Sequence, residues 1–127
     1  MYEIAYEAAQ RVVRMRMAGF WSPDTAVRFS SEVLTLCERV ARRDGRYAVL
    51  LDGTAFDVQT PEVADRLAAL TRAGVALSDA PYAMAVGSML AKLQAQRLLN
   101  VPNARVFLAA EEAEAWLRCA WIDRLAA

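Results

Sequence analysis

LLDGTAFDVQTPEVADRL, residues 50–67, is the stretch on which the reading of this chain turns. Two leucines close an apolar run, Asp52-Gly53 end it, and a short polar passage leads to Thr60-Pro61-Glu62. Thr60 offers a hydroxyl to cap a helix, Pro61 fits the first helical position, and Glu62 meets the positive end of the helix dipole. A strand therefore passes through a loop into a helix, the repeating step of a parallel α/β sheet.

The same logic extends outward. Ser22-Pro23-Asp24 repeats the cap, and Ala26, Val27, Ser30, Val33, Leu34, Cys37, Val40 and Ala41 follow at three- and four-residue spacings until Asp44-Gly45 stops the helix. Arg39, Arg42 and Arg43 gather at its negative end, so the dipole accounts for that basic cluster. Upstream, YEIAYE (2–7) and RVVRMRMAGF (11–20) alternate, with Val13, Met15 and Met17 on one face and Arg14 and Arg16 on the other. The short link through 8–10 makes them an antiparallel hairpin. RYAVLLDG (46–53) and PYAMAVG (81–87) are continuous apolar runs and read as central strands covered on both faces.

The remaining elements are a helix over 61–78 with Val63, Leu67, Leu70 and Gly74 on one stripe, and a helix capped by Ser88 that runs to about Leu99. A turn at 100–103, a strand ARVFLA (104–109) and a helix over 111–125 complete the chain, with Trp116, Leu117, Ala120 and Trp121 facing inward. The order β-β-α-β-α-β-α-β-α predicts one domain over residues 1–127. Its fold class is α/β, a mixed, mostly parallel four- to five-stranded sheet flanked by helices.

Composition narrows the function classes. Hydrophobic residues make up 57% of the 127, enough to argue against disorder. Lys+Arg and Asp+Glu are both 15, so the basic excess expected of a nucleic-acid binder is missing. Met1-Tyr2-Glu3 opens without an apolar signal core, and the nearly uncharged run 73–91 is broken by Asp79, Pro81 and Gly87. The expectation is a cytoplasmic protein without a transmembrane segment. Cys37 and Cys119 read as reduced core residues. No histidine is present, which removes the usual catalytic triads and the commonest metal ligand, and no phosphate-binding glycine motif occurs. Neither a cofactor nor a metal is expected. Asp52, Asp57, Glu62 and Asp65 crowd one loop, but loop turning and helix-end electrostatics explain them. An enzyme would need at least two of Asp52, Asp57 and Glu62 to converge in a cleft.

VLLDGTAFD (49–57), YAMAVGS (82–88) and RVFLAAEEAEAWL (105–117) together resemble the SpoIIAA-like family, small STAS- and Sec14-related bacterial proteins, over nearly the whole chain. The resemblance implies a four- or five-stranded sheet with flanking helices and often dimeric packing, and it implies no single activity. In the distantly similar anti-sigma-factor antagonists, a phosphorylatable serine begins the helix after the central strand. Asp52-Gly53-Thr54 resembles the first element of that site, but Thr60-Pro61 stands where the Asp-Ser pair is expected. The Thr60 hydroxyl is therefore read as a helix cap.

Two functional expectations follow. The first is a non-enzymatic STAS-like regulatory or protein-interaction module that binds a protein partner or itself as a homodimer. Its surface would be the loop carrying Asp52, Thr54, Phe56, Asp57 and Thr60, at the carboxyl end of a strand where open α/β sheets place ligands. The second is a Sec14-like carrier or sensor of a small apolar ligand. Met15, Met17, Met84 and Met89 with Phe20, Trp21 and Phe56 would line its pocket, although methionine commonly just fills cores. A continuous apolar cavity separates the two, since an interaction module has no reason to be hollow.

Overall fold

In the computed structural model, which describes residues 1–125, the alternating start of the chain forms the hairpin β1 (Tyr2–Glu7) and β2 (Val12–Gly19). Ile4 pairs with Met15 and Glu3 with Arg16. The turn places Arg11 at φ 53°, a left-handed conformation that a side-chain-bearing residue adopts at a cost. The remaining elements are α1 (Pro23–Asp44), β3 (Ala48–Phe56), α2 (Pro61–Leu77), β4 (Tyr82–Val86), α3 (Met89–Leu98), β5 (Ala104–Phe107) and α4 (Ala110–Leu117). α4 continues through a π-helical turn, Arg118–Ile122, into the short α5 (Asp123–Leu125). Element order and fold class are as the sequence predicts.

The sheet is five-stranded in the order β1-β2-β3-β4-β5, with β1 antiparallel to β2 and every other pair parallel. Right-handed crossovers that step one way across a sheet put their helices on one face. α1, α2 and α3 accordingly share a face, and α4 returns over the other. On the α4 face small side chains dominate: Val12, Ala48, Ala83 and Ala85 pack against Ala113, Leu117 and Trp121. The opposite face carries Met15, Met17, Val49, Leu51, Tyr82, Met84 and Val86 against Phe29, Val33, Cys37, Val40, Val63 and Leu70.

Several local expectations change. β3 does not stop at Gly53. It carries one extra residue, since Arg16 pairs with Asp52 but Ala18 with Ala55, and it runs on to Phe56 through this bulge. Along α1 the buried stripe is Ala26, Phe29, Val33, Cys37 and Val40, while Val27 is exposed. Cys119 is exposed as well. Ala113, Leu117 and Trp121 recur every four residues toward the sheet, which turns a residue two beyond Leu117 away. Trp121 is buried, as its inward-facing place predicts. Its Nε1 donates to the Gln10 carbonyl at 2.9 Å, and the Arg46 guanidinium stacks 5.4 Å from its ring. Among the described residues, no helix is long and apolar enough to cross a membrane.

Candidate functional site

The α1–α3 face is not filled. α3 has no buried residue, and a pocket of about 620 Å³ lies between the sheet and the three helices. Small-molecule sites typically span roughly 300–1,000 Å³. Met15, Met17, Leu51 and Met84 floor the pocket, Phe29 and Val33 of α1 wall one side, and α2 and α3 contribute Leu67, Thr71, Ala91 and Leu98. Gly74 of α2 lines it too, and a Cβ added there would meet nothing within 4 Å. Ordinary interiors are close-packed, so this much apolar space beside a core is unusual.

The exposed lining residues place the entrance. Asp57, Val58, Gly87 and Ser88 lie beyond the carboxyl ends of β3 and β4, and Ala64 and Gln94 come from α2 and α3. The pocket thus opens at the carboxyl end of the sheet, between α2 and α3, where ligands enter open α/β folds. At this rim a Cβ on Gly87 would sit 2.6 Å from the Thr54 carbonyl oxygen, so the close approach of the two strand ends admits only glycine. Gln59 fastens the rim to β2: its Nε2 donates to the carbonyls of Gly19 (2.9 Å) and Asp57 (2.7 Å), and its Oε1 accepts from the Trp21 amide (2.9 Å). Trp21 anchors an aromatic cluster with Phe29 and Phe56, at centroid distances of 5.0 and 4.8 Å.

At the opposite end of the pocket stand Tyr47, just before β3, Tyr82, the first residue of β4, and Cys37 of α1. All three are buried. Burial pushes the Tyr47 and Tyr82 hydroxyls far above the usual tyrosine range and raises the Cys37 thiol, so all three stay protonated at neutral pH. The Tyr47 hydroxyl has no hydrogen-bond partner of acceptable geometry. Its one neighbour of hydrogen-bonding kind is the Cys37 thiol, whose sulfur is a weak acceptor.

The residues singled out in the sequence do not share one surface. Asp52 faces the other side of the sheet, in a smaller hollow with Glu3, Arg14, Arg16 and Glu114. Its Oδ1 accepts from the Thr54 amide (3.0 Å) and the Thr54 hydroxyl (2.7 Å), which occupies the Thr54 side chain. After the bulge the chain faces the other way, so Phe56 lies against Trp21 and lines the large pocket, with Asp57 at its mouth. Thr60 caps α2, its Oγ1 accepting from the Val63 amide at 3.4 Å. Asp52 and Asp57 therefore line different cavities. Of the apolar candidates, Met15, Met17, Met84 and Phe56 line the pocket, Trp21 is buried but does not line it, and Met89 and Phe20 are exposed.

Sequence reasoning missed Gln59, Gly74, Tyr47 and Tyr82. Each tyrosine opens an otherwise apolar strand run, and that single polar tip was the available signal. Gln59 gave none, because its partners are carbonyls and an amide brought together by folding. No protein-family model matches the chain, and no curated protein matches it.

Proposed function

We propose that this protein is a non-enzymatic carrier or sensor of a small apolar ligand, held between the sheet and α1–α3. The observation that carries this reading is the 620 Å³ pocket, floored by methionines and open at the carboxyl end of the sheet. An unfilled apolar space forfeits dispersion contacts on both of its sides, and a ligand restores them. Methionine suits such a floor because its flexible thioether repacks around different shapes. The resemblance to Sec14-related proteins leans the same way.

A second reading keeps one specific support. Exposed Phe20, Val58, Met89 and Leu90 follow the carboxyl ends of β2, β3 and β4, beside the pocket mouth. Apolar side chains gathered at one end of a sheet favour docking onto a protein partner or a second copy. Asp57 at that end would then act as a polar contact.

Native and denaturing mass spectra of protein purified from cells test both. The carrier reading expects a non-covalent adduct in the native spectrum that is lost on denaturation. An empty dimer would instead favour the interaction module, and Asp57→Ala should then weaken the dimer without loss of fold. A covalent phosphate mapped to Thr60 would overturn its assignment as a cap alone.

A further inference from the structure

α3 shows much of its apolar bulk to solvent. Met89, Leu90 and Leu93 are 55%, 64% and 50% exposed, while Ala91, Ala95 and Leu98 line the pocket from its half-buried side. A surface helix ordinarily turns its large apolar residues inward, so an outward stripe of them marks a surface that something covers. At 100° per residue Met89, Leu90, Leu93 and Arg97 share one arc, with Arg97 in the last turn of the helix. Charge divides along the same direction. α2 and α3 both start at the carboxyl end of the sheet, from neighbouring strands, so the loop and first turns over 56–65 lie beside the start of α3. That segment holds Asp57, Glu62 and Asp65 and no Lys or Arg, whereas α3 holds Lys92 and Arg97 and no Asp or Glu. Asp57, Glu62, Asp65 and Arg97 are exposed, and among the described residues none of the four is in an ion pair. The surface is therefore apolar in its middle, acidic at one end and basic at the other.

We propose that a second copy of this chain covers α3, the two α3 helices lying antiparallel about a twofold axis at Leu93. This rests on the second-copy reading and gives it a surface and an orientation; the pocket lies on the inner side of α3 and stays free for a ligand. A twofold interface sets one patch against itself. With the helices parallel, Arg97 would face Arg97 and the acidic ends would face each other. With the helices antiparallel, Met89 and Arg97 stand ~6 Å to either side of Leu93 along the axis, so each Arg97 comes level with Met89 of the partner copy. Its stem then covers that methionine and its guanidinium meets the acidic end formed by 56–65. The opposed helix dipoles favour the same arrangement. A lipid surface would also cover the leucines, but it would press the unpaired acids of 56–65 against phosphate-bearing headgroups, whereas a second copy neutralises them. The dimer gives α3 the support its own chain does not, because α3 has no buried residue and forms an outer wall of the pocket.

The test combines sedimentation equilibrium with cross-linking, the latter in a Cys119→Ser background because Cys119 is exposed. The wild type should be a reversible dimer. Leu93→Arg, at an exposed position, should leave a monomer with an unchanged circular dichroism spectrum and melting temperature. Leu93→Cys lies on the axis and should form an intermolecular disulfide on mild oxidation. Leu90→Cys should not, since its two copies stand ~9 Å apart along the helices. Arg97→Glu, and separately Glu62→Lys/Asp65→Lys, should each weaken the dimer about tenfold, and mixing the two variants should restore it, because every end-to-end contact then joins opposite charges. A dimer that survives Leu93→Arg, or that cross-links through Leu90→Cys and not Leu93→Cys, forms elsewhere: the α3 surface falls and the second-copy reading stands. Charge variants whose mixture gains nothing overturn the antiparallel pairing. A wild type that stays monomeric at every concentration overturns both surface and second-copy reading, and its sedimentation with phosphatidylcholine vesicles would then give α3 to a lipid surface. In each case the carrier reading is left to its own test.

Discussion

The two faces of this sheet solve the same packing problem in opposite ways. On the α4 face, Ala48, Ala83 and Ala85 are 0% exposed, and their small side chains let one helix lie close. The α1–α3 face carries larger groups from the same two strands, Val49, Leu51, Tyr82, Met84 and Val86, and still leaves a pocket of about 620 Å³. Side-chain volume alone does not decide which face is full. What decides is how near the helices approach, and α3, with no buried residue, holds off. Closeness on one side gives stability, and distance on the other gives space for a ligand.

If the faces differ in this way, truncation should hurt most where packing is closed. Leu117 is fully buried on the α4 face, and Leu117→Ala should cost about 2–5 kcal/mol by the usual large-to-small scale. Met84→Ala, beside space that already exists, should cost less, because the cavity it adds merges with one present in the wild type. Urea unfolding of the two variants measures the gap, and equal losses would break the comparison.

Enlargement should separate the faces by sign. Ala83→Leu forces extra volume between β4 and α4 and should destabilise by about 1–3 kcal/mol. Gly74→Leu adds a larger side chain to a helix interior where nothing lies within 4 Å of the new Cβ. It should stabilise the unliganded protein by about 1 kcal/mol, because glycine is a poor helix former, while it occupies the ligand's space. Thermal melting of both variants provides the check. A Gly74→Leu variant that melts below wild type would mean the pocket closes in solution.

Much of this contrast was legible beforehand and part was not. Capping signals at Ser22-Pro23-Asp24 and Thr60-Pro61-Glu62 are local, so the helices begin where they were expected. Alternation in 12–17 separated Met15 and Met17 from Arg14 and Arg16 correctly. The candidate site was less legible because a single extra residue in β3 decides it. The bulge between Asp52 and Ala55 is a cross-strand event, and its one local sign, Gly53, reads equally as the end of the strand. It divides a run that looked like one loop, leaving Asp52 on one face and Phe56 on the other. Periodicity predicts Gly74 on the inward stripe of α2, and that is the face it lies on. That the stripe faces a gap follows from the spacing of α2 and α3, which sequence periodicity does not encode.

The smallest expected effect concerns charge, and it too should respect the two faces. On the α4 side the Arg14 guanidinium of β2 bridges to Glu114 of α4, with Nη1 to Oε1 at 2.6 Å and Nη2 to Oε2 at 3.1 Å, and Glu7 pairs with it from β1. The hydrogen bonds from Arg14 hold the Glu114 carboxyl below its usual range. Its folded pKa is thus lower than its unfolded one, and between the two values the unfolded chain binds more protons. The contribution is present above the ordinary glutamate range, near pH 4, and is lost as pH falls through the lowered value. Both groups are partly solvated, so the effect should stay below about 1 kcal/mol. The stability difference between wild type and Glu114→Gln should therefore be flat near neutrality and shrink below about pH 4. No such window should appear in the binding of a neutral apolar ligand, because among the described residues Asp57 at the mouth is the only carboxylate of the pocket wall. Binding that weakens together with the Arg14–Glu114 pair would mean the two faces are coupled through β2 and β3, and the division of labour between them would fail.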